Sequence, residues 1–236
     1  MQNRFLLGVS IGESFAEYCL LDNSKVIAAK RAYLPRENLK NSLQQFISSH
    51  KDKSITKAAV ALRVSEKLLD YKLNGAIAHL TTEGFEHWLD LHRCENSRLT
   101  TSDLQFAVKE RILANGSVET ALDSAQVEAI AEKLQALGTK KACLHFLHAS
   151  LNPAHEKAAA KILAAKGIEV FVPEKSDGAD EVARWRKNAL NATVSGLFTD
   201  IKNDIAEALK EAVPADGIFY LHSDGKFHQN NNTHCI

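Results

Sequence analysis

The chain has 236 residues, of which 45% are hydrophobic and 25% are charged, and its 29 basic side chains balance 29 acidic ones. These are ordinary values for a globular protein, and a net charge of zero excludes a strong field that would attract nucleic acid or an anionic membrane. The length suits one large domain or two small ones, with enough residues for a hydrophobic core. We therefore expect neither a nucleic-acid partner nor a membrane partner.

Four scattered cysteines and a short apolar start bear on the cellular compartment. Cys19, Cys94, Cys143 and Cys235 form no CxxC pair, and such spacing favours neither a disulfide framework nor a zinc ribbon. The apolar run over residues 5–11 is too short to cross a bilayer and is followed by acidic residues instead of a cleavage site. The sequence predicts a reduced, cytoplasmic protein without a metal site.

The first part of the chain alternates predicted strands and helices. Residues 4–11, 15–21 and 26–34 have strand patterns separated by turn residues, which indicates an antiparallel meander. Residues 75–85 have the pattern of a buried strand that runs into a glycine-containing turn. The elements predicted after the meander are a helix following Pro35, a strand over 57–62, a helix over 65–73, a strand over 76–80 and a helix over 85–91.

The second part contains a clear strand–helix–strand unit. Asp123 with Gln126 three residues later marks a helix start, and Gly138 marks its end. A strand, a crossover helix and a second strand imply a parallel pair with a right-handed connection. The remaining predictions are a strand over 142–147, a helix from Asn152-Pro153 to Gly167, a strand over 168–172, a long helix over 179–213 that could break near Gly196, and a strand over 218–221.

Polar residues between positions 94 and 102 interrupt these patterns. They predict one domain over 1–93, a second α/β part over 94–228 that holds the βαβ unit and the long helix, and a disordered tail over 229–236. One continuous α/β body is the alternative. We find no internal repeat.

Several short motifs follow one another along the chain. They are GVSIGESF at 8–15, TTEGF at 81–85, Glu110-Arg111-Ile112 with Gly116 and Leu122-Asp123, NPAHE at 152–156, Asn191-Ala192, and Ser223-Asp224-Gly225. This order closely resembles the N-terminal region of the hydantoinase A/oxoprolinase family, which includes ATP-dependent 5-oxoprolinases, N-methylhydantoinases and ketone carboxylase subunits. The resemblance implies an α/β, ribonuclease-H-like fold of the actin/hexokinase type, with a mixed sheet and flanking helices.

In that family the opening strand and hairpin hold phosphate and Mg²⁺, because a carboxylate anchors the cation and glycine N–H groups approach the phosphate. The resemblance therefore assigns Ser10, Gly12, Glu13, Ser14 and Glu17 to a phosphate-binding remnant. Ser10 replaces the expected Asp, and Glu13 replaces a glycine with a charge that repels phosphate. The alternative is that all five are ordinary turn and strand-end residues.

Two further family features differ in this chain. Residues 62–69 (LRVSEKLL) stand where the family has a GTTxxTNAL segment, and the sequence ends about where the second nucleotide-binding lobe would begin. A two-lobed ATPase needs both walls of its cleft to exclude water. We therefore expect no bound cofactor, with ATP and Mg²⁺ only if another chain completes the cleft.

The resemblance offers Thr81, Thr82 and Glu83 as substrate-binding candidates, although Thr82 equally suits an N-terminal cap of a helix over 85–91. His155 and Glu156 suit the first turn of a helix, where Glu156 favours the helix dipole. His145 and His148 are three residues apart near a strand and make poor mutual metal ligands. No catalytic residue is assigned.

The resemblance implies a stand-alone N-terminal-like domain that has lost ATP hydrolysis and acts as a subunit or regulatory homologue. Its expected partner is a polypeptide that carries the second lobe, or a second copy of the chain. The alternative is a subunit of an ATP-dependent cyclic-amide hydrolase that opens a hydantoin or 5-oxoproline. That alternative needs a partner chain for the second lobe.

Overall fold

The computed structural model describes residues 4–34, 36–63, 76–90, 102–174, 180–222 and 225–229. The chain forms two compact units. Met1–Leu73 with Val194–Ile236 make the first, which we call the flanking unit, and Asn74–Thr193 make the second, which we call the inserted unit.

The described part of the chain consists of strands and helices joined by turns. Its strands and helices are β1 (Arg4–Ile11), β2 (Phe15–Asp22), β3 (Lys25–Tyr33), α1 (Leu39–Ser48), β4 (Ser54–Leu62), β5 (Ile77–Thr82), β6 (Gln105–Val108), β7 (Arg111–Ile112), β8 (Val118–Thr120), α2 (Ser124–Ala136), β9 (Lys141–His145), α3 (Ala154–Ala165), β10 (Glu169–Phe171), α4 (Glu181–Leu209), β11 (Ile218–Leu221) and β12 (Phe227–Gln229). Short 3-10 turns lie at Trp88–Asp90, Ser102–Leu104 and Ala215–Gly217.

The flanking unit is built on a six-stranded sheet of order β12-β11-β4-β1-β2-β3. The strands β1, β4 and β11 are mutually parallel, whereas β2, β3 and β12 run antiparallel to their neighbours. Every second side chain of β1, including Leu7 and Val9, faces a core that also contains Leu43 of α1 and Leu209 of α4. Period-two alternation therefore buries one face of the sheet.

The inserted unit is built on a parallel four-stranded sheet of order β10-β9-β5-β6. One face, with Leu80 and Leu144, packs against apolar side chains of α2 and α3 such as Val127 and Leu163. The strands β7 and β8 form a separate antiparallel pair. Because the strands of the main sheet are parallel, their carboxyl ends lie at one edge, where the motif residues collect.

The α/β prediction is confirmed, and so are the parallel pairing of β9 with β10 and the bounds of the first and last predicted strands. The side chain of Asp123 accepts a hydrogen bond from the Gln126 N–H at the start of α2, and Gly138 has a positive φ of 69° after its end. Four short strands, each of two to four residues, were not predicted: β6, β7, β8 and β12.

Three local predictions need correction. The helix over 85–91 is wrong over its described residues 85–90, which hold only a 3-10 turn. The long helix α4 continues through Gly196 without a break. Pro153 is the N-cap of α3 and not part of its first turn, although the Asn152 side chain still accepts a hydrogen bond from the Ala154 N–H at 3.1 Å.

The two compact units have other boundaries than the predicted domains 1–93 and 94–228. Strand β5 pairs with β6 and β9, which places it in the inserted unit, and the chain from Val194 onward belongs to the flanking unit. The predicted division into domains 1–93 and 94–228 therefore differs from the division of the chain into compact units. As a statement about how the family is organised, it stays a prediction. The first residue of the predicted tail, Gln229, ends β12.

Several predictions fall outside the described residues. They concern the helix over 65–73, the replacement segment from position 64 onward, the domain boundary over 94–101, Ser223-Asp224 and the tail from 230 to 236. Among the described helices, none combines the length and the apolar character needed to cross a membrane.

Gly217 offers a test of the packing in the flanking unit. A Cβ at this position would lie 2.7 Å from the backbone oxygen of Thr56 and 3.1 Å from Cγ1 of Val213. We predict that Gly217→Ala lowers the free energy of unfolding by about 1–3 kcal/mol, because the backbone of β4 must shift. The measurement is urea unfolding followed by tyrosine circular dichroism, since Tyr18 and Tyr220 are core residues of this unit.

Gly12→Ala is the matched control, because its Cβ would meet the Phe15 oxygen only at an ordinary 3.6 Å. This control should change the free energy of unfolding by less than about 0.5 kcal/mol. Equal unfolding midpoints for the two variants would contradict the close approach of residue 217 to β4.

Candidate functional site

A buried carboxylate, Glu110, lies at the centre of the inserted unit's polar site. Its side chain has no solvent exposure. Oε1 accepts a hydrogen bond from the Thr82 hydroxyl, and Oε2 lies 2.8 Å from Nδ1 of His155. A buried carboxylate is costly unless donors meet its oxygens, and here both oxygens are met. The end of β5, the segment after β6 and the start of α3 are joined through one side chain.

Thr82 is fully buried and uses its hydroxyl twice. The oxygen donates its hydrogen to Glu110 and accepts a hydrogen bond of 2.8 Å from the backbone N–H of Leu147. The cap predicted for Thr82 is therefore wrong, because the hydroxyl is committed to the neighbouring segments and no α-helix starts over residues 85–90. Its hydrogen bonds tie β5 to the turn that follows β9.

Asn152 joins two further motif segments. Its Nδ2 donates to the carbonyl oxygen of Gly116 at 2.9 Å, while its Oδ1 accepts from Ala154. Gly116 has a φ of 80°, a left-handed conformation that glycine adopts without steric cost. The turn between β7 and β8 is thereby tied to the start of α3, next to His155.

Beside the buried network lies a more exposed cluster. The Arg111 guanidinium is 4.9 Å from the ring centroid of Phe85, and its Nη2 reaches the Glu83 carbonyl oxygen at 3.5 Å. Of the three predicted substrate-binding residues, Thr81 and Thr82 are buried and Glu83 is exposed. The role of these three in binding a substrate stays a prediction.

Glu156, next to His155, is a second buried carboxyl group, only 6% exposed. It lies in the first turn of α3, as predicted. Burial raises its pKa to about 8, an effect opposed by the Arg184 charge and reinforced by Glu181 and Glu110. Among the described residues, Oε1 has no hydrogen-bond partner. Around neutral pH this side chain is therefore mainly protonated in the folded protein.

The predicted phosphate-binding remnant lies in the flanking unit, at the turn between β1 and β2. Ser10 and Glu17 are opposite each other across the two strands, and the Gly12 N–H donates to the Phe15 carbonyl oxygen at 2.9 Å. Glu13 and Ser14 are exposed. The five remnant residues thus do lie together around one hairpin.

The Glu17 carboxylate is shared by two arginines. Oε1 is 3.3 Å from Nε of Arg31, and Oε2 is 3.3 Å from Nη2 of Arg63. Both arginine side chains are about two-thirds exposed, at 65% and 64%, so the pairs add little to stability. They do place two positive charges beside the carboxylate that the family resemblance offers as a metal ligand.

Ser10, Glu17 and Arg31 also line a shallow depression of about 580 Å³ on the sheet face that the helices leave uncovered. Gly8 and Phe227 lie in the same lining. The depression is mainly apolar, with the ion pair of Glu17 and Arg31 at one side. It therefore suits a mixed apolar and polar contact better than a highly charged phosphate chain.

A third cluster was missed by the sequence analysis, which assigned no metal ligands. His79 on β5 and Cys143 and His145 on β9 offer ligand atoms that all lie within 4.8 Å of one another. Burial raises the pKa of the Cys143 thiol, and burial together with the His79 and Arg184 charges holds the pKa of His145 well below its usual range. Cys143 and His145 are two residues apart, a spacing that places both side chains on the same face of β9. His79 lies beside them only because of the register in which β5 pairs with β9.

The family model of the hydantoinase/oxoprolinase N-terminal region matches residues 7–167, which is more than half of the chain. An uncharacterized protein of Methanocaldococcus jannaschii is 26% identical over 159 residues, which is 61% of this chain. The chain spans 23% of that relative's length.

Two solved structures resemble nearly the whole chain. A nucleotide-free acetone carboxylase, a protein of ATP-dependent acetone carboxylation, has a TM-score of 0.76 at 16% identity over 97% of this chain and 37% of its own. An ATP-dependent caprolactamase from Pseudomonas jessenii has a TM-score of 0.76 at 20% identity over 94% of this chain and 36% of its own. These likenesses confirm the ribonuclease-H-like, actin-type fold that the resemblance implies.

The adjacent threonines of β5 provide a matched test of the buried network. Thr82→Val leaves Oε1 of Glu110 and the Leu147 N–H each without a partner, so we predict a loss of about 2–4 kcal/mol in the free energy of unfolding. Thr81 is equally buried, but its hydroxyl has no hydrogen-bond partner among the described residues. Thr81→Val should therefore leave the stability unchanged or raise it by up to about 1 kcal/mol.

Urea unfolding followed by tryptophan fluorescence measures both variants, because both tryptophans of the chain, Trp88 and Trp185, lie in the inserted unit. If Thr81→Val destabilises as much as Thr82→Val, the assignment of the hydrogen bonds is wrong.

The raised pKa of Glu156 should make the free energy of unfolding depend on pH. Because its folded-state pKa of about 8 exceeds the ordinary value of 4.5, its protonated form favours folding at low pH and this contribution disappears as the pH rises toward 8. We predict that Glu156→Gln matches the natural chain at about pH 4 and exceeds its free energy of unfolding by about 2–4 kcal/mol at about pH 8.5.

The same tryptophan-detected urea unfolding, repeated across this pH range, measures the difference. Glu119→Gln, which changes an exposed carboxylate on β8, is the control and should give a flat difference. A flat difference for Glu156→Gln as well would rule out a raised pKa at this position.

Proposed function

The chain belongs to the hydantoinase/oxoprolinase family, to its N-terminal region, and from this premise we propose that it is a non-ATPase binding subunit or regulatory homologue. The observation that carries the proposal is the state of the hairpin between β1 and β2. Glu17 is the residue of this hairpin whose carboxylate could bind a metal ion. It forms ion pairs with Arg31 and Arg63. The other acidic side chain of the turn, Glu13, is exposed.

Mg²⁺ takes hard oxygen ligands, usually carboxylates together with substrate phosphates. At this hairpin Ser10 offers a neutral hydroxyl, and Glu17 has two guanidinium groups beside it, whose positive charges oppose a bound cation. Glu13 adds a negative charge near the Gly12 N–H, where a phosphate would be repelled. These residues do not fit a magnesium-bound triphosphate.

The uncovered face of the flanking sheet supports a binding role. Leu6, Phe15, Leu221 and Phe227 are large apolar side chains that alternate outward from their strands and are at least one-third exposed. Phe227 lies opposite Leu221 and also lines the depression beside Ser10 and Glu17, which offers a partner a partly apolar surface. We propose that a polypeptide carrying the second lobe covers this face, since the chain spans only 36–37% of the solved structures that it resembles. Self-association is the other outcome of a binding test.

A cytoplasmic location completes the proposal. Cys19 and Cys143 are free thiols, as is usual in reducing compartments.

A second candidate is a subunit of an ATP-dependent cyclic-amide hydrolase. It is favoured by the two structural relatives, which are described as acting in ATP-dependent acetone carboxylation and as an ATP-dependent caprolactamase. Under this candidate Gly12, Ser14 and Glu17 would hold phosphate and metal with the help of a partner's second lobe. Thr81 and Thr82 would then lie near the substrate.

Calorimetric titration of the purified chain with Mg-ATP tests the non-ATPase proposal. We predict no binding tighter than about 1 mM for the natural chain, whereas the double variant Ser10→Asp, Glu13→Gly should gain measurable affinity because it adds a carboxylate and removes a repulsive charge. The matched control is Ser10→Asn, Glu13→Gly, which removes the charge without adding a carboxylate. It should bind more weakly than the Asp-containing variant.

Micromolar binding of Mg-ATP by the natural chain would overturn the non-ATPase proposal and favour the hydrolase subunit. Tyrosine circular dichroism of each variant verifies that the flanking unit remains folded during the titration.

A further inference from the structure

His79, Cys143 and His145 are brought together by the register of two neighbouring parallel strands. His79 of β5 is directly opposite Cys143 of β9, and His145 lies two residues further along β9. Residues two apart on a strand point to the same face. All three side chains are at most 1% exposed, so the cluster lies entirely inside the inserted unit.

The spacing of the three side chains is close to that of a metal-binding site. Their ligand atoms lie within 4.8 Å of one another, so some point is within about 2.8 Å of all three, against bond lengths of roughly 2.0–2.3 Å for zinc to nitrogen and sulfur. Small rotations of the side chains therefore suffice to reach bonding distance. No movement of the strands is needed.

We propose that His79, Cys143 and His145 bind one transition-metal ion, with Zn²⁺ as the expected occupant. Two imidazole nitrogens and a thiolate are the donors that zinc prefers, whereas Mg²⁺ and Ca²⁺ prefer oxygen. The thiol loses its proton to the solvent when its sulfur bonds to the ion. The inference concerns the inserted unit alone and does not depend on the nucleotide question.

The surroundings of His145 support the assignment. The Trp185 ring is stacked on this imidazole at 5.5 Å with an angle of 13° between the planes. The Asn188 amide nitrogen lies 3.2 Å from Nε2 and also donates to the Phe171 carbonyl oxygen at 3.0 Å. Nδ1 of His145 has no hydrogen-bond partner among the described residues, and a buried polar atom in that state requires an explanation such as an ion.

A proton has to move if Nδ1 is the ligand. In the metal-free chain Nε2 accepts from Asn188, which places the ring proton on Nδ1. When Nδ1 binds the ion, the proton resides on Nε2, and the Asn188 side chain must turn so that its oxygen accepts this proton, which breaks the hydrogen bond from its nitrogen to the Phe171 carbonyl oxygen. Hydrogen-bond acceptors of this kind commonly fix the orientation of metal-bound histidines.

Complete burial indicates a structural ion that joins β5 to β9. Three protein ligands leave one position of a tetrahedron, which a water molecule can occupy. Since the ligands have almost no solvent exposure, the ion should enter while the unit folds and exchange slowly afterwards. Refolding in the presence of metal is therefore the appropriate way to load the site.

The test measures metal content after refolding with Zn²⁺ and dialysis. We expect about one zinc per natural chain and less than about 0.1 for Cys143→Ala. Cys19→Ser, which changes the other described thiol, is the matched control and should keep the full zinc content. Native tryptophan fluorescence of Cys143→Ala verifies that loss of metal is not loss of the fold.

Refolding with Co²⁺ provides a second readout, because a cobalt–thiolate bond gives a charge-transfer absorption band. The band should appear in the natural chain and in Cys19→Ser and be absent from folded Cys143→Ala. A natural chain that refolds with native fluorescence but holds neither zinc nor cobalt would overturn the proposal. So would a charge-transfer band that persists in Cys143→Ala.

Discussion

The burial of Glu110 is the constraint on which the inserted unit depends. A carboxylate without access to water is tolerated only when hydrogen-bond donors replace the water. Thr82 and His155 provide them, and each can do so only if its own segment is in place. The single side chain therefore fixes the end of β5 against the start of α3. Asn152 and Gly116 extend the same connection to the turn between β7 and β8.

The key acidic side chains of the two units lie in opposite environments. Glu110 is held by two nearby donors without any contact with solvent, whereas Glu17 is partly exposed and paired with two solvated arginines. The buried arrangement joins three segments of the inserted unit, whereas the exposed one places two positive charges beside the hairpin carboxylate. The fold and the chemistry of the hairpin therefore depend on different residues.

Many of the strands and helices were predictable from the local pattern of residues. The arrangement of the candidate site was predictable only in part. Period-two alternation gave β1 and β11 their correct bounds, and Asp123 with Gly138 gave the limits of α2. The same rules placed a cap at Thr82, where a long-range partner, Glu110, takes the hydroxyl instead. The His79, Cys143 and His145 cluster could not be predicted, because the register between β5 and β9 appears in no local spacing.

The central claim is that Glu110 and His155 act as one buried pair that holds the motif segments together. A double-mutant cycle with Glu110→Gln, His155→Asn and the double variant tests it most directly, with unfolding followed by tryptophan fluorescence. The account predicts a coupling free energy of at least about 1.5 kcal/mol, because either single change leaves the other group buried without its partner. Effects that add to within about 0.5 kcal/mol would contradict it.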